Sequence, residues 1–221
     1  MHYVMSDIHG DIATFDKILS MIDLNDRDYL YILGDVIDRG PDGIELLRKI
    51  RKIQGCQLLL GNHELMMINA LRRPMDRESM RLWLRNRCEP TVDSFKKLLP
   101  DEQEDILQYL ESLSVQVYLS VQESRYILVH AAPVELYEQG AHRYFDPIKF
   151  AVWHRFYPSA KMPENKIVIH GHTPTINDGS PGRMMHFDQR INIDCGNAYP
   201  ELGGQLGCLR LEDMREFYSN G

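Results

Sequence analysis

The chain has 221 residues, 43% hydrophobic and 26% charged, with a formal net charge of −7. This suits a single domain over residues 1–221, too apolar to be disordered and large enough to bury a full core without staples. With no apolar run of membrane-spanning length, no signal-peptide pattern and an acidic balance that repels phosphate backbones, the expectation is a cytoplasmic protein without a membrane or nucleic-acid partner. The four cysteines form no CxxC pair and read as reduced thiols.

Along the chain a strand, a short polar turn and a helix recur. Tyr3-Val4-Met5 ends at Ser6-Asp7-Ile8-His9-Gly10, and Asp11 is placed to cap a helix carrying Ile12, Phe15, Leu19 and Ile22 at helical spacing. A second apolar run, Tyr29 to Leu33, ends at Gly34-Asp35, with Ile44, Leu47, Ile50 and Ile53 marking the next helix. The third run, Gln57 to Leu60, ends at Gly61-Asn62-His63-Glu64 and leads into a helix. Residues 72–113 are helical in pattern and polar, an expected insertion over one end of the sheet. Tyr126 to Val129 then ends at His130, and Ile167-Val168-Ile169 ends at His170-Gly171-His172. Short β-like runs follow at Ile191–Asp194, Gly207–Leu211 and Arg215–Tyr218, the last two joined by a turn at Glu212-Asp213-Met214.

Five strands therefore deliver Asp, His or Asn at their carboxyl ends, where open α/β sheets place their ligands. Carboxylate, imidazole and amide oxygen together suit Mn²⁺, Fe or Zn²⁺ better than Ca²⁺. In extended backbone Asp7 and His9 share a face. Asp35, after Gly34, has two oxygens with which to bridge a pair of ions of the kind that hydrolyses phosphate esters. His63, next to Asn62, is placed to reach over the metals without binding them. Asp38 is a candidate to orient that imidazole, and Arg39 to fork onto phosphate oxygens.

The blocks Asp7-Ile8-His9-Gly10, Gly34-Asp35-Val36-Ile37-Asp38-Arg39-Gly40 and Gly61-Asn62-His63-Glu64 resemble the signature blocks of the PPP family of metal-dependent protein serine/threonine phosphatases, in the calcineurin-like metallophosphoesterase superfamily. Val129-His130-Ala131 and Gly171-His172-Thr173-Pro174 resemble its next two blocks, in order, and Ile193-Asp194-Cys195-Gly196 its closing segment. Trp153-His154-Arg155 is similar to the Trp-x-Arg of the compact bacterial and phage members. Trp83-Leu84-Arg85-Asn86 with Thr91 resembles their Trp-Leu-x-Asn-Gly-Gly…Thr, with Arg87-Cys88 in place of the glycine pair. The resemblance implies an α/β fold of two packed β-sheets flanked by helices. It also implies two divalent metal ions, manganese first with iron or zinc as alternatives. Asp7, His9 and Asp35 would hold one ion, and Asp35, Asn62, His130 and His172 the other. His63 would be the general acid with Asp38 its partner, and Arg39 and Arg155 the phosphate clamps. The implied reaction is hydrolysis of phosphoserine or phosphothreonine in proteins, with phosphotyrosine also open, by direct attack of metal-activated water.

A second substrate class is a small phosphate ester, above all a dinucleoside polyphosphate such as diadenosine tetraphosphate, because similar metallophosphoesterases share these blocks. A silent binding module is the third reading, and the intact His63–Asp38 pair argues against it. Trp153-His154-Arg155 and the 83–91 segment favour the protein-phosphatase branch. His170 is expected to be a neighbour of the site rather than a ligand, and His2, His142, His154 and His186 are unassigned.

Overall fold

A computed structural model describes residues 1–137, 146–156, 160–180 and 182–220; His142 lies outside them. Two five-stranded sheets pack face to face. In the first, β1 (His2–Met5), β2 (Tyr29–Ile32) and β3 (Cys56–Leu58) run parallel. The helices α1 (Ile12–Ile22) and α2 (Gly43–Ile50) make the connections. After β3 the chain enters α3 (Asn62–Arg72), α4 (Arg77–Arg85), α5 (Glu89–Phe95) and α6 (Pro100–Glu111), the expected helical stretch.

The second sheet opens with an antiparallel pair, β4 (Gln116–Val121) and β5 (Ser124–Val129), of which β4 lies outside the predicted elements. Next come α7 (Val134–Leu136) and α8 (Pro147–Trp153), then β6 (Ile167–His170), β7 (Met185–His186) and β8 (Arg190–Asn192). Here β5, β6 and β8 are the parallel trio. The tail crosses back to the first sheet: β9 (Gly207–Arg210) pairs antiparallel with β1, and β10 (Arg215–Tyr218) closes the edge through the expected hairpin.

Side-chain alternation explains the layers, because successive residues of a strand face opposite sides. Val4, Tyr31, Leu33, Tyr126, Leu128, Ile169 and Leu209 meet between the sheets. Tyr3, Met5, Leu30 and Ile32 turn outward to pack under Phe15, Ile18, Leu47, Met67 and Leu110 of the helices. Ile127, Val129 and Val168 pack outward with Ala151 of α8. Both faces of the parallel strands are thus buried, which is why they read as short continuous apolar runs. Asp11 caps α1 as expected, accepting from the Thr14 amide at 2.9 Å. The second helix stops at Ile50, so Ile53 lies in the turn beyond it.

Candidate active site

The parallel strands of the two sheets deliver their carboxyl ends to one edge of the sandwich, and the residues singled out above meet there. Asp7, His9, Asp35, Asp38, Asn62, His63, His130 and His172 are all buried. Asp7, His9, Asp35, Asp38, Arg39 and His172 take left-handed backbone, with φ between 53 and 68°. Non-glycine residues held there cost about 1–3 kcal/mol each, and persist only where their surroundings over-determine them. Gly61 has no room for a Cβ, which would overlap the Asp35 carboxylate and backbone.

Two groups of potential donors share Asp35. One is His9, Asp35 and His63, the other Asp35, His130 and His172, with the donor atoms of each within 4.8 Å of one another. The His9 ring donates from Nδ1 to the Ile37 carbonyl at 3.1 Å. Its Nε2 stands 4.0 Å from Asp7 Oδ1 and 3.9 Å from Asp35 Oδ2. His130 donates from Nδ1 to the Leu33 carbonyl at 2.7 Å, so Nε2 presents a lone pair to Asn62 Oδ1 at 2.9 Å and Asp35 Oδ1 at 3.5 Å. Burial first of all holds His9 and His172 well below the usual imidazole range. Imidazole nitrogens of His9, His130 and His172 thus converge with the oxygens of Asp7, Asp35 and Asn62 in one buried pocket. A divalent cation resolves that arrangement, so the donor set fits the ions the resemblance implies.

Burial pushes the Asp35 carboxyl well above its ordinary range, only partly offset by His63, and Asp7 and Glu64 add to the rise. Asp194, which extends β8, is raised too, by burial and then by Asp7. His63 donates from Nδ1 to Asp38 Oδ2 at 2.6 Å, leaving Nε2 for the cleft, where an Arg39 guanidinium nitrogen lies 3.2 Å away. Burial lowers the His63 pKa, but the Asp35 charge and the Asp38 bond outweigh it and the net direction is upward.

The open cleft above these groups holds about 200 Å³ and is lined by Asp35, Arg39, Asn62, Trp153, Arg155 and Tyr199, among others. Arg155 is exposed and enters this lining, and Arg39 lies over the Tyr199 ring at 5.5 Å. His170 belongs to neither donor group: its Nδ1 faces the Gly171 carbonyl and its ring contacts Phe156. His2 pairs with Glu212, His186 with Glu216, and His154 stacks on Phe150.

Several residues of the site carry no role in the sequence reading. The Glu64 carboxylate accepts from the amides of Asp35 (2.8 Å), Val36 (2.9 Å) and Gly61 (3.1 Å), tying the ends of β2 and β3 together. Its sequence signal is the acidic residue two places after the N-terminal residue of α3, a capping-box position. The Trp83 indole donates to Asp38 Oδ2 at 2.7 Å, and the Thr91 hydroxyl accepts from the Asp38 amide at 2.8 Å. The Ser6 hydroxyl donates to Asp7 Oδ2 at 2.5 Å.

Residues 3–197 match the family model described as calcineurin-like phosphoesterase. The chain belongs to the calcineurin-like phosphoesterase family. Among curated relatives of this phosphoesterase, a symmetrical bis(5'-nucleosyl)-tetraphosphatase of Buchnera aphidicola subsp. Acyrthosiphon pisum is 31% identical over 134 residues, 60% of this chain and 44% of the relative. One of the same name from Erwinia tasmaniensis is 32% identical over 114 residues, 44% of this chain and 42% of the relative. The chain spans less than half the length of the relatives it matches. Among solved structures, a candidate diadenosine tetraphosphatase superposes with TM-score 0.69 at 16% identity, covering 98% of this chain and 91% of that one. A cold-active protein tyrosine phosphatase gives 0.62 at 17%, covering 98% and 78%; at such identities the likeness concerns the fold.

The two-sheet fold and the superfamily stand as expected, but the protein serine/threonine phosphatase assignment, with its phosphoprotein substrate, is corrected. The curated relatives carry the name of the alternative, a dinucleoside tetraphosphate hydrolase. The physical reason is that the blocks are shared across the family, so they do not by themselves distinguish one substrate class from another. The features that favoured the protein-phosphatase branch, Trp153-His154-Arg155 and residues 83–91, brace or line this same centre. Nor does a donor set of carboxylates, imidazoles and an amide select manganese over iron or zinc.

Proposed function

We propose that this phosphoesterase hydrolyses the polyphosphate bridge of dinucleoside polyphosphates. The observation that carries the reading is its similarity to relatives named symmetrical bis(5'-nucleosyl)-tetraphosphatases. In this reading Asp7, His9 and Asp35 hold one divalent ion, and Asp35, Asn62, His130 and His172 the other. Manganese is the first ion to supply, iron and zinc the next. Two such ions supply Lewis-acid charge to a phosphoryl oxygen and lower the pKa of a water nucleophile.

The protein's own groups do the rest. Arg39 and Arg155 in the cleft lining provide planar donors for non-bridging phosphate oxygens. His63, its Nδ1 committed to Asp38, keeps Nε2 for proton transfer to the departing oxygen. Asp38 is held for this task by Trp83 and Thr91. The cysteines, all free among the described residues, accord with a cytoplasmic setting.

The test is a panel with purified protein and added Mn²⁺: diadenosine tetraphosphate, phosphoserine and phosphothreonine peptides, and bis-p-nitrophenyl phosphate, with products separated by chromatography. The expected result is a kcat/KM for diadenosine tetraphosphate at least 100-fold above that for either peptide. Faster turnover of a phosphopeptide would overturn the proposal.

A further inference from the structure

A second, larger cavity of about 600 Å³ lies beside the catalytic cleft, and Trp153 lines both. Its walls are continuations of the elements that build the cleft. On α3, Asn62 lines the cleft, while Met66, Asn69 and Arg73 line the cavity. The spacings of four, three and four residues put all of them on one stripe of the helix. On α4, Asn86 at the C-terminal cap lines the cleft, and Ser79 and Leu82 line the cavity, again at helical spacing. On α8, Lys149 and Trp153 are four apart and both face the cavity. Three helices thus each contribute to the walls of the cavity, and the cavity and the cleft adjoin at Trp153. At 1.5 Å per residue, Asn69 lies about 10 Å and Arg73 about 16 Å along α3 from Asn62.

We propose that this groove is the binding site for one nucleoside end of a dinucleoside polyphosphate. The inference rests on the reading under Proposed function and deepens it. A substrate cleaved within its polyphosphate bridge must carry a nucleoside away from the cleft on a phosphate-and-ribose arm, which a cavity adjoining the cleft at Trp153 and reaching Arg73 accommodates. The volume lies in the range of small-ligand sites. The chemistry of the walls is ordered along that path. Trp153 stands at the junction, its ring 5.9 Å from that of His172 and edge-on to it. Met66 and Leu82 give apolar faces for a base, and Asn69 and Ser79 give hydrogen-bonding groups. Lys149 and Arg73 supply positive charge, and Lys149 lies 3.9 Å from Asp146. The acidic groups, Asp76 and Glu78, sit at the α4 start, where Asp76 is already occupied in capping the helix through the Ser79 and Glu78 amides.

The test measures the ratio of kcat/KM on diadenosine tetraphosphate to that on p-nitrophenyl phosphate, with added Mn²⁺. Leu82→Glu and Arg73→Glu change exposed side chains of the groove without opening the core, and each should lower that ratio at least tenfold, chiefly through KM for the dinucleotide. Arg77→Glu, on α4 but facing a different hollow with Ala70 and Met80, should leave the ratio within twofold. An unchanged ratio in the groove variants of a protein that does cleave the dinucleotide would overturn the subsite alone. An equal fall in Arg77→Glu would also overturn it, by showing a general effect of charge. Absence of dinucleotide cleavage by the wild type, with p-nitrophenyl phosphate still turned over, would overturn the parent reading and this inference with it.

Discussion

Asp35 is the side chain that both donor groups need, and its two oxygens face different imidazoles: Oδ2 stands 3.9 Å from His9 and Oδ1 3.5 Å from His130. Replacing it with Asn removes the charge from both positions at once. Asp35→Asn is expected to lose both bound ions under conditions where His172→Ala keeps one, read by elemental analysis of the purified proteins. Two tightly held ions in Asp35→Asn would remove Asp35 from its shared place. The candidate donors were legible in the sequence because a strand end followed by Asp, His or Asn is a local pattern. The residues that hold them were less so. Glu64 bonds amides almost thirty positions away, and nothing local marks Trp83 as a partner of Asp38.

At the scale of elements, α4, α5 and the turn between them do more than cover the sheet. Trp83 and Thr91 both contact Asp38, and the Arg87 carbonyl accepts from the Arg39 amide at 3.0 Å. This segment braces the loop that carries the His63 partner and one arginine of the cleft. Trp83→Phe leaves Asp38 buried with one bond fewer, a loss of about 1.5–3 kcal/mol for a charged acceptor. A fall in Tm of about 3–12 °C is expected in a chain of this length, together with lower kcat at unchanged metal content. A melting temperature within a degree of wild type would show that the indole bond holds nothing in place. The departure of Arg87-Cys88 from the glycine pair has a definite structural outcome. Arg87 takes φ 64°, a left-handed conformation that glycine adopts freely, and Cys88 is buried. Arg87→Gly relieves that strain but loosens the unfolded chain, so its net effect is expected to lie between zero and about 1 kcal/mol of stabilisation. Arg87→Val should destabilise by more than 1 kcal/mol, because a β-branched residue is a poor occupant of that region. Denaturant midpoints of the pair decide the matter.

For the whole molecule, the tail matters because β9 pairs with β1, the strand whose following loop carries Asp7. The turn after β9 is fastened to the start of β1: the Glu212 carboxylate accepts from the His2 amide at 3.0 Å and pairs with its ring at 2.8 Å. Burial tends to raise the Glu212 pKa, but the bonds from His2 outweigh it and the net direction is down. A carboxyl depressed in the folded state stabilises above its unfolded pKa of about 4.3, and that contribution fades as pH falls through the folded value. Glu212→Gln should therefore lower stability by about 1 kcal/mol at pH 7, and the gap to wild type should narrow as pH falls from the unfolded pKa through the depressed folded one. A gap independent of pH would locate the effect in packing. The layered fold itself was visible in the apolar runs, whereas β4 was not, since Gln116, Tyr118 and Ser120 interrupt its pattern with polar and exposed groups. Substrate class was illegible in the blocks for a different reason: they are shared by family members that bear different substrate names.

The crossing of the seam between the sheets also sets an order of assembly. Asp7, His9 and Asp35 all lie within the first 35 residues, in the loops that follow two neighbouring strands of one sheet. His130 and His172 come from the other sheet, and they reach Asn62 across separations of 68 and 110 residues. Closing loops of that length costs entropy that the short excursion from β1 to β2 does not incur. In the proposed reading the first trio would come together once two strands have paired, and the other position only when the two sheets close. During refolding in limiting metal, one equivalent should be captured early and the second only with the last cooperative step, so that the two ions record different moments in the life of the same chain.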